Sequence, residues 1–121
     1  MLMQFGGFVF KENPVKINIK YGRNLNMVNI TGCGSIILNR GKTPRVAEGE
    51  GVIVGRNTLR KFTELMAVFD ESEESKMLVL PNGETFWSFF SKLSMVGEGD
   101  VEKIRYSFEF VEDCVKGWQD G

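Results

Sequence analysis

The sequence predicts an α+β fold that is mainly β, in which an antiparallel sheet carries one flanking α-helix at about residues 57–70. Residues 15–21 and 102–110 alternate apolar and polar side chains, and this period of two is typical of half-buried strands. Between them the apolar spacing changes to three and four, which is typical of a helix. One helix cannot cover both faces of a parallel sheet, so an antiparallel sheet is favoured. With 121 residues and no visible linker or repeat, the chain is expected to form one domain over residues 1–121.

The first half of the chain contains the more irregular strand candidates. The segment Gln4–Phe10 is predicted to be one short strand with a bulge or bend at Gly6-Gly7. Asn13-Pro14 indicates a turn, because the residue before proline is disfavoured in helical conformations. The strand that follows is expected to place four apolar residues on one face: Val15, Ile17, Ile19 and Tyr21. Three more short strands are expected at residues 27–30, 35–38 and 51–55, with an extended loop or long hairpin arm at residues 39–50.

The helix is predicted from a single apolar stripe. Its members are Leu59, Phe62, Leu65, Met66 and Phe69. Asn57 is the expected N-cap, because its side-chain oxygen can accept a hydrogen bond from a first-turn amide. The acidic run at residues 71–75 is expected to be a solvated loop. A strand at residues 77–81 and a tight turn at Asn82-Gly83 follow.

The last third gives the clearest signal, a β-hairpin formed by residues 86–96 and 102–110. In the first strand, four residues are expected on one face, Trp87, Phe89, Leu93 and Met95, with Phe86 and Phe90 on the other. In the second strand the residues predicted to face the core are Ile104, Tyr106, Phe108 and Phe110. This pattern indicates an aromatic-rich inner face and a charged outer face.

The composition argues against catalysis and against several kinds of partner. The chain has no histidine, which removes the commonest general base and the commonest metal ligand. We therefore expect no enzyme activity, no catalytic or metal-binding residue and no cofactor. The net charge is −1 and no basic stripe is visible, so specific nucleic-acid binding is not expected.

The location of the chain is predicted from its apolar runs and cysteines. No run approaches the ~20 apolar residues of a membrane helix, so membrane insertion is not expected. The N-terminus lacks the features of a signal peptide, which favours a cytoplasmic protein. Reduced thiols at Cys33 and Cys114 are favoured in that compartment, but a disulfide between them stays open.

Two glycine-containing motifs resemble nucleotide-binding loops, and neither has the spacing that such a loop requires. Gly41-Lys42-Thr43 lacks the glycine that a phosphate-binding loop needs five positions earlier, where Ile36 stands. Gly49-Glu50-Gly51 resembles a dinucleotide loop, but its third glycine would fall at Val54. These glycines are instead expected to provide backbone bends around a strand.

Several segments together resemble a known group of proteins. They are the run Glu48–Gly55 leading into the helix with Phe62 and Leu65, then Leu78 and Pro81, the closing run Tyr106–Phe110, and the opening Phe8-Val9-Phe10 before Asn13-Pro14. Over about residues 5–112 the chain resembles small tail and baseplate proteins of contractile phages and phage-tail-like bacteriocins of the PBSX-like kind. It is similar to the N-terminal domain of LysM-containing baseplate proteins, and nothing after Asp113 resembles a LysM module.

The resemblance implies a tail-tube-like fold, a β-sandwich or barrel with one flanking helix that packs into rings around the tail axis. It implies a structural subunit that joins the tail tube to the baseplate hub and spike, or starts the tube, with other tail proteins and a homo-oligomeric ring as partners. Such a chain would be cytoplasmic during assembly and then part of a phage tail or tailocin particle. A tail terminator or another small β-rich protein-binding adaptor is the alternative, and an enzyme that uses carboxylates or lysine is a third.

Residues 39–50 are the predicted subunit interface. This segment is long for a connection inside a compact domain and is rich in charge. The candidate interface residues are Arg40, Lys42, Arg45, Glu48 and Glu50. The hypothesis is that the segment is an assembly arm that reaches an adjacent subunit, against the alternative of an ordinary surface loop. It predicts that deletion of residues 41–47 leaves a folded monomer that does not assemble.

Overall fold

The computed structural model describes residues 2–10, 13–32, 34–55, 57–97 and 103–115. It contains one helix and nine strands within these ranges. In chain order they are β1 (Gln4–Phe5), β2 (Phe8–Val9), β3 (Lys16–Lys20), β4 (Arg23–Ile30), β5 (Gly34–Lys42), β6 (Val46–Val54), α1 (Thr58–Glu71), β7 (Lys76–Val79), β8 (Thr85–Gly97) and β9 (Lys103–Glu112).

Seven strands form one antiparallel sheet in the order β2-β1-β7-β8-β9-β6-β3. The other two, β4 and β5, form a separate two-stranded sheet. The predicted α+β, mainly β architecture is therefore confirmed. The sheet does not close into a barrel, so the barrel alternative is wrong. An open sheet has two edges, which here are β2 and β3.

The N-terminal segment is a hairpin and not one bent strand. Gln4 pairs with Val9 and Phe5 with Phe8, so Gly6 and Gly7 form the two-residue turn. Their φ angles are 56° and 91°, and a type I′ turn requires positive φ at both central positions. Glycine adopts these angles at no steric cost, so the glycine pair determines where the chain reverses.

The hairpin β8–β9 is confirmed, but a β-bulge divides the faces of β8. The register shifts between Phe90 and Lys92, which leaves Ser91 as the extra residue. Before the bulge Phe86 and Phe90 face the core, and after it Leu93 lies opposite the buried Phe108. The prediction of a single face with Trp87, Phe89, Leu93 and Met95 is therefore wrong, since an inserted residue reverses the alternation.

Helix α1 begins and ends within one residue of the predicted bounds. Phe62 and Leu65 are buried and Phe69 is half-buried, whereas Leu59 and Met66 are exposed. The side chain of Asn57 makes no capping hydrogen bond, so that prediction is wrong. Its backbone is left-handed, with φ 64°, and its carbonyl oxygen accepts from the Lys61 amide at 3.0 Å.

The core lies between α1, which packs on β6, β8 and β9, and one face of the large sheet. The four β9 residues predicted to face inward are all buried. Phe110 is fully buried, and its ring lies 4.9 Å from that of Phe5 and 4.5 Å from that of Phe90, centroid to centroid. This aromatic cluster joins the N-terminal hairpin to the C-terminal one.

Two glycines of β6 make room for the aromatic side chains of β9. Gly49 lies opposite Phe108, and Gly51 lies opposite Tyr106. A Cβ atom at Gly49 would lie 2.8 Å from Cζ of Phe108 and would also collide with the backbone oxygen of Lys16 on the other side. The glycines of this strand therefore provide space for neighbouring residues, a role different from the predicted backbone bends.

Replacing Gly49 by valine should lower the free energy of unfolding by about 1–3 kcal/mol, because overpacking forces the neighbouring ring and strand to move. Urea denaturation measures the loss. The control is Glu50→Val on the same strand, where the side chain is exposed and the change should stay within about 0.5 kcal/mol. Equal effects at the two positions would contradict this explanation of the glycine.

Of the two alternatives predicted for residues 39–50, the extended loop is wrong, and the hairpin arm is correct only for residues 39–42, which pair with β4. Residues 39–42 end β5 and residues 46–50 begin β6, which leaves only Thr43, Pro44 and Arg45 outside a strand. The short strands predicted at 27–30 and 35–38 are parts of the longer β4 and β5. Cys114 is exposed. The disulfide with Cys33 that the sequence leaves open is not tested, because Cys33 lies outside the described residues.

Candidate interaction surface

The most unusual feature is the hairpin formed by β4 and β5, called the projecting hairpin below. Every described residue of these two strands is exposed except the half-buried Val28. The two strands pair with each other and with no strand of the large sheet in the described part of the chain. An isolated two-stranded hairpin has only marginal stability in water, since it lacks a second layer to pack against.

Apolar side chains lie on both faces of the projecting hairpin. Directly opposite residues point to the same face, so Met27 and Ile37 lie on one face and Val28 and Ile36 on the other. Met27 is 67% exposed and Ile37 is 62% exposed. A hairpin whose faces met only solvent would be expected to be polar, so apolar side chains on both faces make this hairpin a candidate interaction surface.

Both feet of this hairpin are held on the large sheet by polar contacts. Tyr21, just before β4, donates its hydroxyl hydrogen to Glu84. Arg45, just after β5, donates to Glu112 through Nη2 at 2.9 Å and through Nε at 3.2 Å. The Thr43 amide donates to the carbonyl of Gly22 at 3.0 Å and closes the base.

Arg45 makes most of the contacts at the base of the hairpin. Its guanidinium carbon lies 4.3 Å from the centroid of the Phe86 ring, and its Nη1 lies 3.9 Å from Oε2 of Glu84. That oxygen of Glu84 is buried and has no hydrogen-bond partner among the described residues, so the nearby cation stabilises its charge. The contacts fix the direction in which the hairpin leaves the sheet.

The contacts at the base of the hairpin shift the pKa values of Glu112, Arg45 and Tyr21, each in the direction that favours the protonation state that makes the contact. The side-chain hydrogen bond from Arg45 is the largest cause that lowers the pKa of Glu112. Desolvation opposes it, and the backbone hydrogen bond from Arg45 and the charges of Arg45 and Lys42 add to it. The same side-chain hydrogen bond raises the pKa of Arg45. The hydrogen bond to Glu84 raises the pKa of Tyr21, because the phenol donates it only when protonated.

The Glu112 contact should make stability depend on pH. Because its folded-state pKa is lowered, the contact stabilises the fold above the unfolded value of about 4.3 and is lost as pH falls through the folded value. Glu112→Gln should therefore cost about 1–3 kcal/mol at pH 7 and much less at pH 3. Urea denaturation at both pH values measures this, with Glu50→Gln as an exposed control. A cost that is the same at pH 3 would contradict it.

The five predicted interface residues fall in three places. Arg40 and Lys42 are exposed on the projecting hairpin, and Arg45 is in its foot. Glu48 and Glu50 lie further along β6, where Glu48 bonds Lys20 at 3.0 Å. The Lys20 contact is the largest cause of the lowered pKa of Glu48. The hairpin therefore carries two of the five, and Arg45 is engaged within the chain.

The apolar residues of the projecting hairpin were not predicted as part of an interface. A signal was present, because Ile36, Ile37 and Leu38 are consecutive and must point to both faces of any strand. The hairpin as a whole, and not the charged segment 39–50, is the candidate interaction surface.

Two further kinds of site were not found among the described residues. No group of three or more histidine, cysteine, aspartate or glutamate side chains among them is placed to hold a metal ion. No helix in the described part of the chain is long and apolar enough to cross a membrane.

Comparisons with known proteins show the fold. No protein-family model and no curated protein matches the sequence. Among solved structures, the chain is similar to Dit (gp 19.1) of SPP1, described as a paradigm of the hub adsorption apparatus in Gram-positive infecting phages. The TM-score is 0.71 at 13% identity, over 93% of this chain and 49% of Dit, so the chain spans about half the length of that protein.

Two structures of gene transfer agent (GTA) particles are similar over nearly their whole length. One is from the virion of the native particle, with TM-score 0.61, 13% identity and coverage of 93% of this chain and 89% of that one. The other is from the tail of an empty particle with C6 symmetry, with TM-score 0.54, 15% identity and coverage of 93% and 90%. The chain thus has the β-rich fold found in these phage and gene transfer agent proteins.

Proposed function

We propose that the chain is a structural subunit of a phage tail or phage-tail-like particle and assembles through its projecting hairpin. The observation that carries the proposal is the hairpin itself, two exposed strands with apolar side chains on both faces. Burial of these faces by neighbouring molecules would stabilise a segment that is marginal alone. The fold likeness to Dit and to the gene transfer agent structures supports the same role.

The finer proposal is that the subunit belongs to a contractile tail or tailocin and either joins the tube to the baseplate hub or starts the tube. Its partners would be the tube protein, the hub and further copies of itself in a ring. Two features support assembly into a ring, namely the hairpin and the open edges of the sheet at β2 and β3. Exposed strand edges are places where another chain can pair.

The proposed role is not enzymatic. Its support is the sequence, which has no histidine and no intact nucleotide-binding motif. The proposed role of the sheet is to hold the hairpin in a position where other subunits can bind it.

Deletion of the gene in its host tests the role. If the subunit joins or starts the tube, negative-stain microscopy of the particles should show tubes that are missing or detached from the baseplate. Tails of abnormal length would instead indicate the alternative role of a terminator. Particles of normal form and infectivity would contradict both and would favour an adaptor protein outside the particle.

A further inference from the structure

The base of the projecting hairpin carries three cations that form no ion pair with another described residue. Arg23 lies directly opposite Lys42, so two positive side chains share one face at close distance, which is unfavourable. Arg40 lies two residues before Lys42 on the same strand. Within the described part of the chain, none of the three forms an ion pair. The charge of Lys42 reaches Glu112, but Arg45 already bonds that carboxylate.

The C-terminal end of α1 shows the opposite imbalance. Asp70 and Glu71 lie in the last turn, which contains no basic residue, and Glu73 and Glu74 follow directly. All four are exposed, and none forms an ion pair with another described residue. Acidic side chains are unfavourable here because the end of a helix already carries partial negative charge.

The two surfaces complement each other in charge and in apolar content. Near the acids, α1 exposes Met66, and the hairpin exposes Leu25 beside its cations. The cations and the acids belong to different elements, and no ion pair joins them among the residues that the structure describes. A contact between them in two copies closes a two-fold dimer if it is reciprocal, whereas a contact made in one direction is heterologous and closes a ring or extends a filament when it repeats.

We propose that the base of the projecting hairpin docks on the C-terminal end of α1 of a second copy, with Arg23, Arg40 and Lys42 against Asp70, Glu71, Glu73 and Glu74. This rests on the proposed function, because it names the partner surface for the hairpin of an assembling subunit. The contact would set the direction of assembly, since each copy offers one cationic and one acidic surface.

Two charge-reversal variants test the contact. The first carries Arg23→Glu, Arg40→Glu and Lys42→Glu, and the second carries Glu71→Lys, Glu73→Lys and Glu74→Lys. Each alone should associate at least about tenfold more weakly than the wild type, because like charges would then face each other. Sedimentation velocity over a concentration series measures association, and circular dichroism checks that each variant is folded.

An equimolar mixture of the two variants provides the decisive comparison. In the mixture, the acidic hairpin of the first variant can bind the basic helix end of the second, and the native hairpin of the second can bind the native helix end of the first. Assemblies in which the two variants alternate should therefore form. If each variant assembles like the wild type, or the mixture fails to recover assembly, the docking surface on α1 is wrong. If both charge-reversal variants assemble and only a variant that lacks the hairpin does not, the proposed function stands without this contact. A wild-type chain that does not self-associate would overturn both.

Discussion

Replacing Phe110 by alanine is expected to lower the free energy of unfolding by about 3–5 kcal/mol. Its side chain is fully buried and contacts the rings of Phe5, Phe90 and Phe108. These partners come from β1, β8 and β9, so a cavity here would weaken the link between the N-terminal and C-terminal hairpins. Urea denaturation followed by circular dichroism measures the loss.

The matched control is Phe89→Ala. Phe89 belongs to the adjacent strand and lies opposite Val111, but it points away from the core and is 41% exposed. Its loss should cost less than about 1 kcal/mol. Similar costs for the two phenylalanines would contradict the position of the core described above.

Removal of the projecting hairpin is expected to abolish self-association and to leave the fold intact. The deletion of residues 41–47 suggested by the sequence is unsuitable, because Ala47 is fully buried and pairs with Phe110. Arg23 and Lys42 lie directly opposite each other, so residues 24–41 can be replaced by Asn-Gly, which forms a two-residue hairpin turn. Sedimentation velocity should then show a folded monomer.

A milder variant separates loss of contacts from loss of the hairpin. Met27→Ser with Ile37→Ser removes an exposed cross-strand pair from one face and keeps the chain length. It should weaken association and change the melting temperature little. The hairpin would have no role in assembly if the shortened chain associated as strongly as the wild type.

The sequence predicted the regular elements well where a single period persisted. In β9 the alternation continues without interruption, and all four predicted inward residues are buried. In β8 the same reasoning failed after Ser91, because a bulge reverses the faces and leaves no clear mark in the residue types. Asn57 was a reasonable N-cap by residue type, but its left-handed backbone prevented the expected bond.

The candidate site was predicted only in part. Charge drew attention to residues 39–50, and two of its residues, Arg40 and Lys42, are on the projecting hairpin. The consecutive apolar residues of β5 predict apolar side chains on both faces of a strand, but the sequence does not show whether those faces are buried or exposed, since burial depends on contacts between distant parts of the chain. The engagement of Arg45 with Glu112 likewise joins residues 67 positions apart.

The size of the purified chain in solution tests the central claim most directly. Sedimentation velocity over a concentration series, with negative-stain microscopy of the largest species, should show closed rings that dissociate on dilution. The chain with residues 24–41 replaced by Asn-Gly should stay monomeric under the same conditions. A wild-type chain that is monomeric at every concentration, and that forms no ring in the microscope, would contradict the account.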